Sequence, residues 1–133
     1  MTTVLLVDDE PSMRRALRGL FERAGFAVAE AASGEAALAQ LAKGSPADAV
    51  VIDVLMPGLN GVELYDRLRE TAPALANRVV FLTGAARDPR VHGPIEQRGV
   101  PLISKMDDLR LVVDAVRLSV VRQSGSFSAG GGA

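Results

Sequence analysis

The sequence predicts an α/β fold in which a parallel sheet is wound between two layers of helices. Three observations carry this prediction. Short apolar runs of branched residues recur along the chain, at Val4 to Val7, Ala49 to Asp53 and Val79 to Thr83. None of them alternates polar with apolar, as expected of strands covered on both faces. Amphipathic segments of helical period stand between them, which implies right-handed crossovers and a parallel sheet.

Taken in order, Val4 to Val7 is the first strand, and Pro11 then stands at a natural first helical position. Met13, Ala16, Leu17, Leu20, Phe21 and Ala24 repeat at three- and four-residue spacings until Gly25 supplies the stop. Phe26 to Ala31 is a second, weaker strand, after which Ser33 can cap a helix that buries Ala37, Leu38, Leu41 and Ala42 and ends at Gly44. Ala49 to Asp53 is the third strand, turned sharply by Pro57, Gly58, Asn60 and Gly61, and Asn60 can cap a helix carrying Leu64, Tyr65 and Leu68 before Pro73. Val79 to Thr83 is the fourth strand.

The interval from Gly84 to Gly99 should hold the fourth helix. Asp88 and Pro89 offer a start, but Pro94 removes a helical hydrogen bond and clashes with the preceding turn, at a cost of about 3 kcal/mol. Two short helical pieces or an irregular loop are expected. Val100 to Ser104 is the fifth strand, and Pro101 within it places it at a sheet edge. Asp107 to Arg122 is the last helix, with Leu109, Val112, Val113, Val116 and Val120 facing the sheet and a second stripe, Leu111, Ala115 and Leu118, on nearly the opposite side. Residues 1–122 are expected to form one domain, and 123–133 a flexible Gly/Ser/Ala tail.

A chain of 133 residues suits one domain with a proper core. With Lys+Arg at 15 against Asp+Glu at 16, it has no bulk positive field, which argues against direct nucleic-acid binding. The absence of cysteine excludes disulfides, thiolate catalysis and thiolate metal sites. No basic region with a long apolar core opens the chain, and no apolar run approaches the ~20 residues of a membrane span, so a cytoplasmic protein is expected.

In such a sheet the carboxyl ends of the strands share one edge, where ligands bind. Asp8 and Asp9 end the first strand, Asp53 the third and Thr83 the fourth, and Lys105 follows the fifth. Carboxylates crowded there raise one another's pKa unless a cation joins them. Mg²⁺ suits the place because it takes a few carboxylates, keeps waters and completes its shell with phosphate oxygens. Asp53 is then the candidate nucleophile for phosphoryl transfer, with Thr83 able to hydrogen-bond one phosphoryl oxygen, Lys105 able to pair with another, and Gly84 leaving the approach open.

The acidic pair Asp8-Asp9, the run Asp53-Val-Leu-Met-Pro-Gly-Leu-Asn-Gly61, the strand end Thr83-Gly84 and Lys105 together resemble the response-regulator receiver domain of two-component phosphorelays, over about residues 3 to 121. The resemblance implies a flavodoxin-like five-stranded sheet of order 2-1-3-4-5. It implies that Asp53 accepts phosphate from a histidine kinase or phosphotransfer protein, that Asp8, Asp9 and Asp53 with the Leu55 carbonyl bind Mg²⁺, and that Thr83 and Lys105 sense the phosphoryl group. The chain would then not be an enzyme beyond its own phosphoryl transfer and dephosphorylation. Two positions depart from the family pattern: Leu102 stands where an aromatic switch residue is usual, and Met106 follows the lysine where proline is usual.

Lesser features have plainer readings. Tyr65 is expected to pack on its helix, and His92, with no second His or Cys nearby, to be an exposed loop residue. The stripe Leu111, Ala115, Leu118 suggests a homodimer or partner contact. Signalling is expected through contact with a downstream protein, since no output domain is encoded in these residues. The alternative is a pseudo-receiver that signals without phosphorylation through residues 84–99 and the last helix. An aspartyl phosphohydrolase fits less well, because its nucleophile would follow the first strand, with a second acid two residues on.

Overall fold

The computed structural model describes residues 1–132, with side chains described through Val121. Five strands, β1 (Thr3–Val7), β2 (Ala27–Ala31), β3 (Ala49–Asp53), β4 (Val79–Thr83) and β5 (Leu102–Ser104), form one sheet of order β2-β1-β3-β4-β5. Every pairing is parallel, with Val7 beside Ile52 and Asp53 beside Leu82. Six helices accompany it: α1 (Pro11–Arg23), α2 (Gly34–Ala42), α3 (Gly61–Thr71), α4 (Pro73–Ala76), α5 (Pro89–Arg98) and α6 (Arg110–Gly132).

The two-residue period of the strands divides the core. Leu5, Val7, Val50, Ile52, Val79 and Phe81 face the side of α2, α3 and α5, while Val4, Leu6, Val51, Val80 and Leu82 face α1 and α6. Burying each of these side chains contributes about 1.5–3 kcal/mol. Tyr65 is core, as expected, with its ring edge-on to Phe81 at 5.8 Å. On the other face Phe21 and Phe26 meet edge-on at 5.2 Å.

The start signals work as the sequence suggests. Ser33 accepts from the Ala36 N–H, and Asn60 and Glu63 form a reciprocal capping box. Three elements differ from expectation. The interval around Pro94 is one continuous ten-residue helix instead of two pieces or a loop. The bond Pro94 cannot make belongs to the carbonyl of exposed Arg90 in the first turn, while Val91 and Ile95, four apart, anchor the helix to the core. β5 omits Val100 and Pro101, since proline offers no N–H; its carbonyl still accepts from Phe81 N at 2.9 Å. α6 starts at Arg110, where Asp108 accepts from the Arg110 N–H, and its helical backbone runs past Arg122 into the segment expected to be a tail. Besides these, the short α4, started by Pro73, is an element that the sequence pattern does not announce.

No helix among the described residues is long and apolar enough to cross a membrane.

Gly61 governs how closely α3 approaches the end of β3. A Cβ there would lie 2.5 Å from the Asp53 carbonyl oxygen and 2.8 Å from Val54 Cα, both backbone atoms. Gly61→Ala is expected to destabilise the fold by about 2–4 kcal/mol, measured by urea unfolding, because neither backbone atom can yield without moving the strand end.

Candidate functional site

Each site residue is delivered by the end of a strand. β1 ends at Val7, and Asp8, whose N–H bonds Ala31 O at 3.2 Å, turns its carboxylate onto the carboxyl edge of the sheet. Asp8 Oδ1 accepts from the Glu10 N–H at 2.9 Å, and the Asp8 carbonyl accepts from Arg14 Nη1 at 2.6 Å. Arg14 is itself tied to Glu30 of β2, so the first acidic turn is braced from two sides. Asp53 closes β3, where its Oδ1 accepts from the Leu55 N–H at 3.3 Å. The chain beyond is folded back by the bond from Gly61 N to Val54 O at 3.0 Å. Thr83 closes β4, its Oγ1 accepting from Ala85 N at 3.1 Å so that its own hydroxyl proton is free to donate. Lys105 follows β5 and is fixed by its N–H bond to Thr83 O at 2.8 Å.

Asp8, Asp53 and Thr83 are buried polar residues. The Lys105 ammonium reaches into the same space, 2.6 Å from Glu10 Oε1, 3.2 Å from Asp8 Oδ2 and 3.3 Å from Asp53 Oδ2. Burial, and next the charge of Asp8, push the Asp53 carboxyl up to about 6, against the opposing pull of Lys105 and the Leu55 N–H. Burial disfavours the charged Lys105, yet the hydrogen bond to Glu10 and the charges of Asp53 and Asp8 outweigh it and hold its pKa above the ordinary lysine value. Glu10 is drawn below the usual carboxylate range by Lys105.

One oxygen from each of Asp8, Glu10 and Asp53 falls within 4.8 Å of the others, a spacing that suits a divalent cation. Asp8 Oδ2 supports this fit. It is buried and, although near Lys105, makes no properly aligned hydrogen bond, so its lone pairs remain available. An all-oxygen, carboxylate-rich donor set is the kind a hard cation takes.

The structure therefore brings Asp8, Asp53, Thr83 and Lys105 to one rim and leaves Asp9 exposed, outside the convergent group. Glu10 joins instead, a residue that reading Asp8-Asp9 as a pair overlooks. A signal for it was present: a residue before proline stays extended, and Glu10-Pro11 at a helix start sends the side chain back over the strand end. Leu55 contributes its N–H, and its side chain is exposed. A Cβ at Gly84 would meet nothing within 4 Å, and beside it a groove of about 490 Å³ is lined by Gly84, Arg87, Leu102, Ser104 and Met106 among others. His92 lies exposed on α5, 3.4 Å from Glu96, and has no part in the site.

The chain is similar to several known proteins. A family profile described as the response regulator receiver domain matches residues 4–117. The chain is 38% identical over 95 residues to the transcriptional regulatory protein ResD of Bacillus subtilis, covering 69% of this chain and 37% of ResD, so it spans about a third of the length of that relative. It is 31% identical over 124 residues to the response regulator receiver protein CpdR of Brucella abortus, covering 91% of this chain and 98% of CpdR. Among solved structures, the response regulator protein TrrA of Thermotoga maritima in complex with Mg²⁺ and BeF superposes with a TM-score of 0.76 at 25% identity, covering 90% of this chain and 99% of TrrA.

The raised pKa of Asp53 fixes the sign of a stability effect. Folding binds a proton at Asp53 between about pH 3.8 and 6, so in the absence of metal this group makes the native state less stable as pH rises through that window, and the penalty is complete above it. Asp53→Asn is expected to stabilise the metal-free protein at pH 7.5 by about 1–2 kcal/mol, or roughly 3–8 °C in Tm, with the gain shrinking toward pH 4. Thermal melts in EDTA across that range measure it.

Proposed function

The chain belongs to the response-regulator receiver family, and from that premise we propose that it receives a phosphoryl group on Asp53 and signals through protein contact. The observation that carries the proposal is a buried carboxylate at a strand end, with Asp8 on one side and the Lys105 ammonium 3.3 Å away on the other. An Asp53 carboxylate oxygen attacks the phosphorus of a phosphohistidine in a sensor kinase or phosphotransfer protein. The new P–O bond forms as the P–N bond breaks, and the imidazole leaves with a proton from solvent. The Lys105 ammonium and the Thr83 hydroxyl would pair with phosphoryl oxygens, and the small side of Gly84 leaves room for them. Mg²⁺ held by Asp8, Asp53 and the Leu55 carbonyl would neutralise charge on the transferring group, and Asp9, exposed in the metal-free chain, would have to turn inward to join them. Hydrolysis of the aspartyl phosphate returns Asp53 and inorganic phosphate, so the chain turns over only its own modification. A module that signals without phosphorylation would have no need of buried carboxylates converging on a lysine.

Residues 1–122 are the proposed signalling unit, and the last helix a proposed contact surface. Leu111 and Leu118 stand 44% and 53% exposed on α6, whereas Ala115, expected in the same stripe, is half-buried and packs against the core between α6 and the sheet, so the two leucines carry the surface. A second copy of the chain or a downstream protein would cover them.

Two outcomes test these assignments. Incubation with a small phosphodonor and Mg²⁺ is expected to add one phosphate to the wild type and none to Asp53→Ala by intact-mass spectrometry; an unmodified wild type refutes the proposal. Leu111→Asp with Leu118→Asp is expected to abolish any self-association seen by light scattering while leaving the melting transition in place, and an unchanged mass removes the dimer assignment.

A further inference from the structure

The three contacts of Lys105 are unequal, and the inequality separates Glu10 from the two aspartates. Glu10 makes the shortest contact, 2.6 Å, against 3.2 Å to Asp8 and 3.3 Å to Asp53. Its side chain is also 55% exposed, whereas those of Asp8 and Asp53 are 3% and 5%. Glu10 is thus a carboxylate at the mouth of the site, and the aspartates form its floor. The local chain explains the placement. Glu10 is the N-cap of α1 in extended conformation (φ −92°, ψ 111°), its side chain makes no capping bond, and its N–H is anchored on Asp8 Oδ1. The carboxylate is therefore free of the helix and held within reach of Lys105.

Asp8 and Asp53, which would hold a divalent cation, are both already paired with the Lys105 ammonium. Two cations a few ångströms apart repel, so cation binding would drive the lysine off the aspartates, and without another anion its charge would be left unpaired in a low-dielectric rim. We propose that Glu10 is a positioning residue for Lys105: it takes the ammonium off Asp8 and Asp53 when the cation binds, and holds it at the mouth of the site for the incoming phosphoryl group. The inference rests on the divalent-cation part of the function proposed above. It assigns Glu10 to the lysine and not to the cation, although its oxygen lies close enough to those of Asp8 and Asp53 to coordinate one.

The two roles differ in a double-mutant cycle. Mg²⁺ affinity is measured by calorimetry, without phosphodonor, on the wild type, Glu10→Gln, Lys105→Gln and the double variant, each shown folded by its melting transition. Glu10→Gln is expected to weaken Mg²⁺ binding roughly three- to tenfold, since the lysine is left on the aspartates, and to have no effect once Lys105 is Gln. Equal weakening in both backgrounds would make Glu10 a cation ligand and overturn the proposal. So would an unaltered affinity in Glu10→Gln, or a wild type that binds no Mg²⁺. Phosphorylation is scored separately by mass: a wild type that shows the coupling but accepts no phosphate refutes the proposed function and leaves the role of Glu10 standing.

Discussion

The ammonium of Lys105 is the counter-charge on which the carboxyl edge of this sheet depends. Asp8 and Asp53 are both buried, at the ends of adjacent strands, and two unscreened carboxylates a few ångströms apart repel by about 4 kcal/mol at the effective dielectric of a protein rim. The lysine lies within 3.3 Å of each and offsets part of that repulsion, but not all of it, since Asp53 remains hard to ionise. The consequence is a resting site that is folded yet electrostatically unfinished. It has more acid than one lysine satisfies, and an Asp8 oxygen with no aligned donor. A hard cation would supply the positive charge that the acids lack, and an anion beside Lys105 would take up the charge they then release.

The rest of the fold can be read as support for that rim. β3 and β4, buried throughout, fix Asp53 and Thr83 by parallel pairing. Arg14 braces the Asp8 turn against β2 through Glu30. Gly61 allows the α3 terminus to press against the end of β3, so the Asp53 backbone cannot slide. These supports hold the backbone of the strand ends and leave the contacts of the Asp8 and Asp53 carboxylates with Lys105 undisturbed.

Much of this was legible in the sequence, because the signals were local or periodic. Unalternating runs at Val50 to Asp53 and Val79 to Thr83 announce central parallel strands, and the Ser33 and Asn60 caps mark helix starts within a residue. Asp53, Asp8, Thr83 and Lys105 follow from topology alone, since parallel strands deliver their carboxyl ends to one edge. What escaped depends on side-chain direction and tertiary support. Asp8 and Asp9 look equivalent as letters, but only Asp8 turns inward, and Glu10 reaches the site because the following proline holds it extended. Pro94 argues for a break, yet the lost bond falls on an exposed carbonyl while Ile95 is fully buried, so packing outweighs local propensity.

The same balance locates the compliant side of the molecule. Displacing the Asp8 or Asp53 backbone would disturb buried strands paired on both edges. β5 is different: three residues long, only half-buried, paired on one side alone and entered through a proline that cannot donate. Lys105 hangs directly from its end, and the groove lined by Leu102, Ser104 and Met106 among others lies alongside. Any displacement of Lys105 from Glu10 and the aspartates would therefore strain β5 and the turn into α6 first. Leu111, the second residue of α6 and 44% exposed, follows that turn directly, so the exposed apolar side of α6 is attached to the part of the fold that costs least to move.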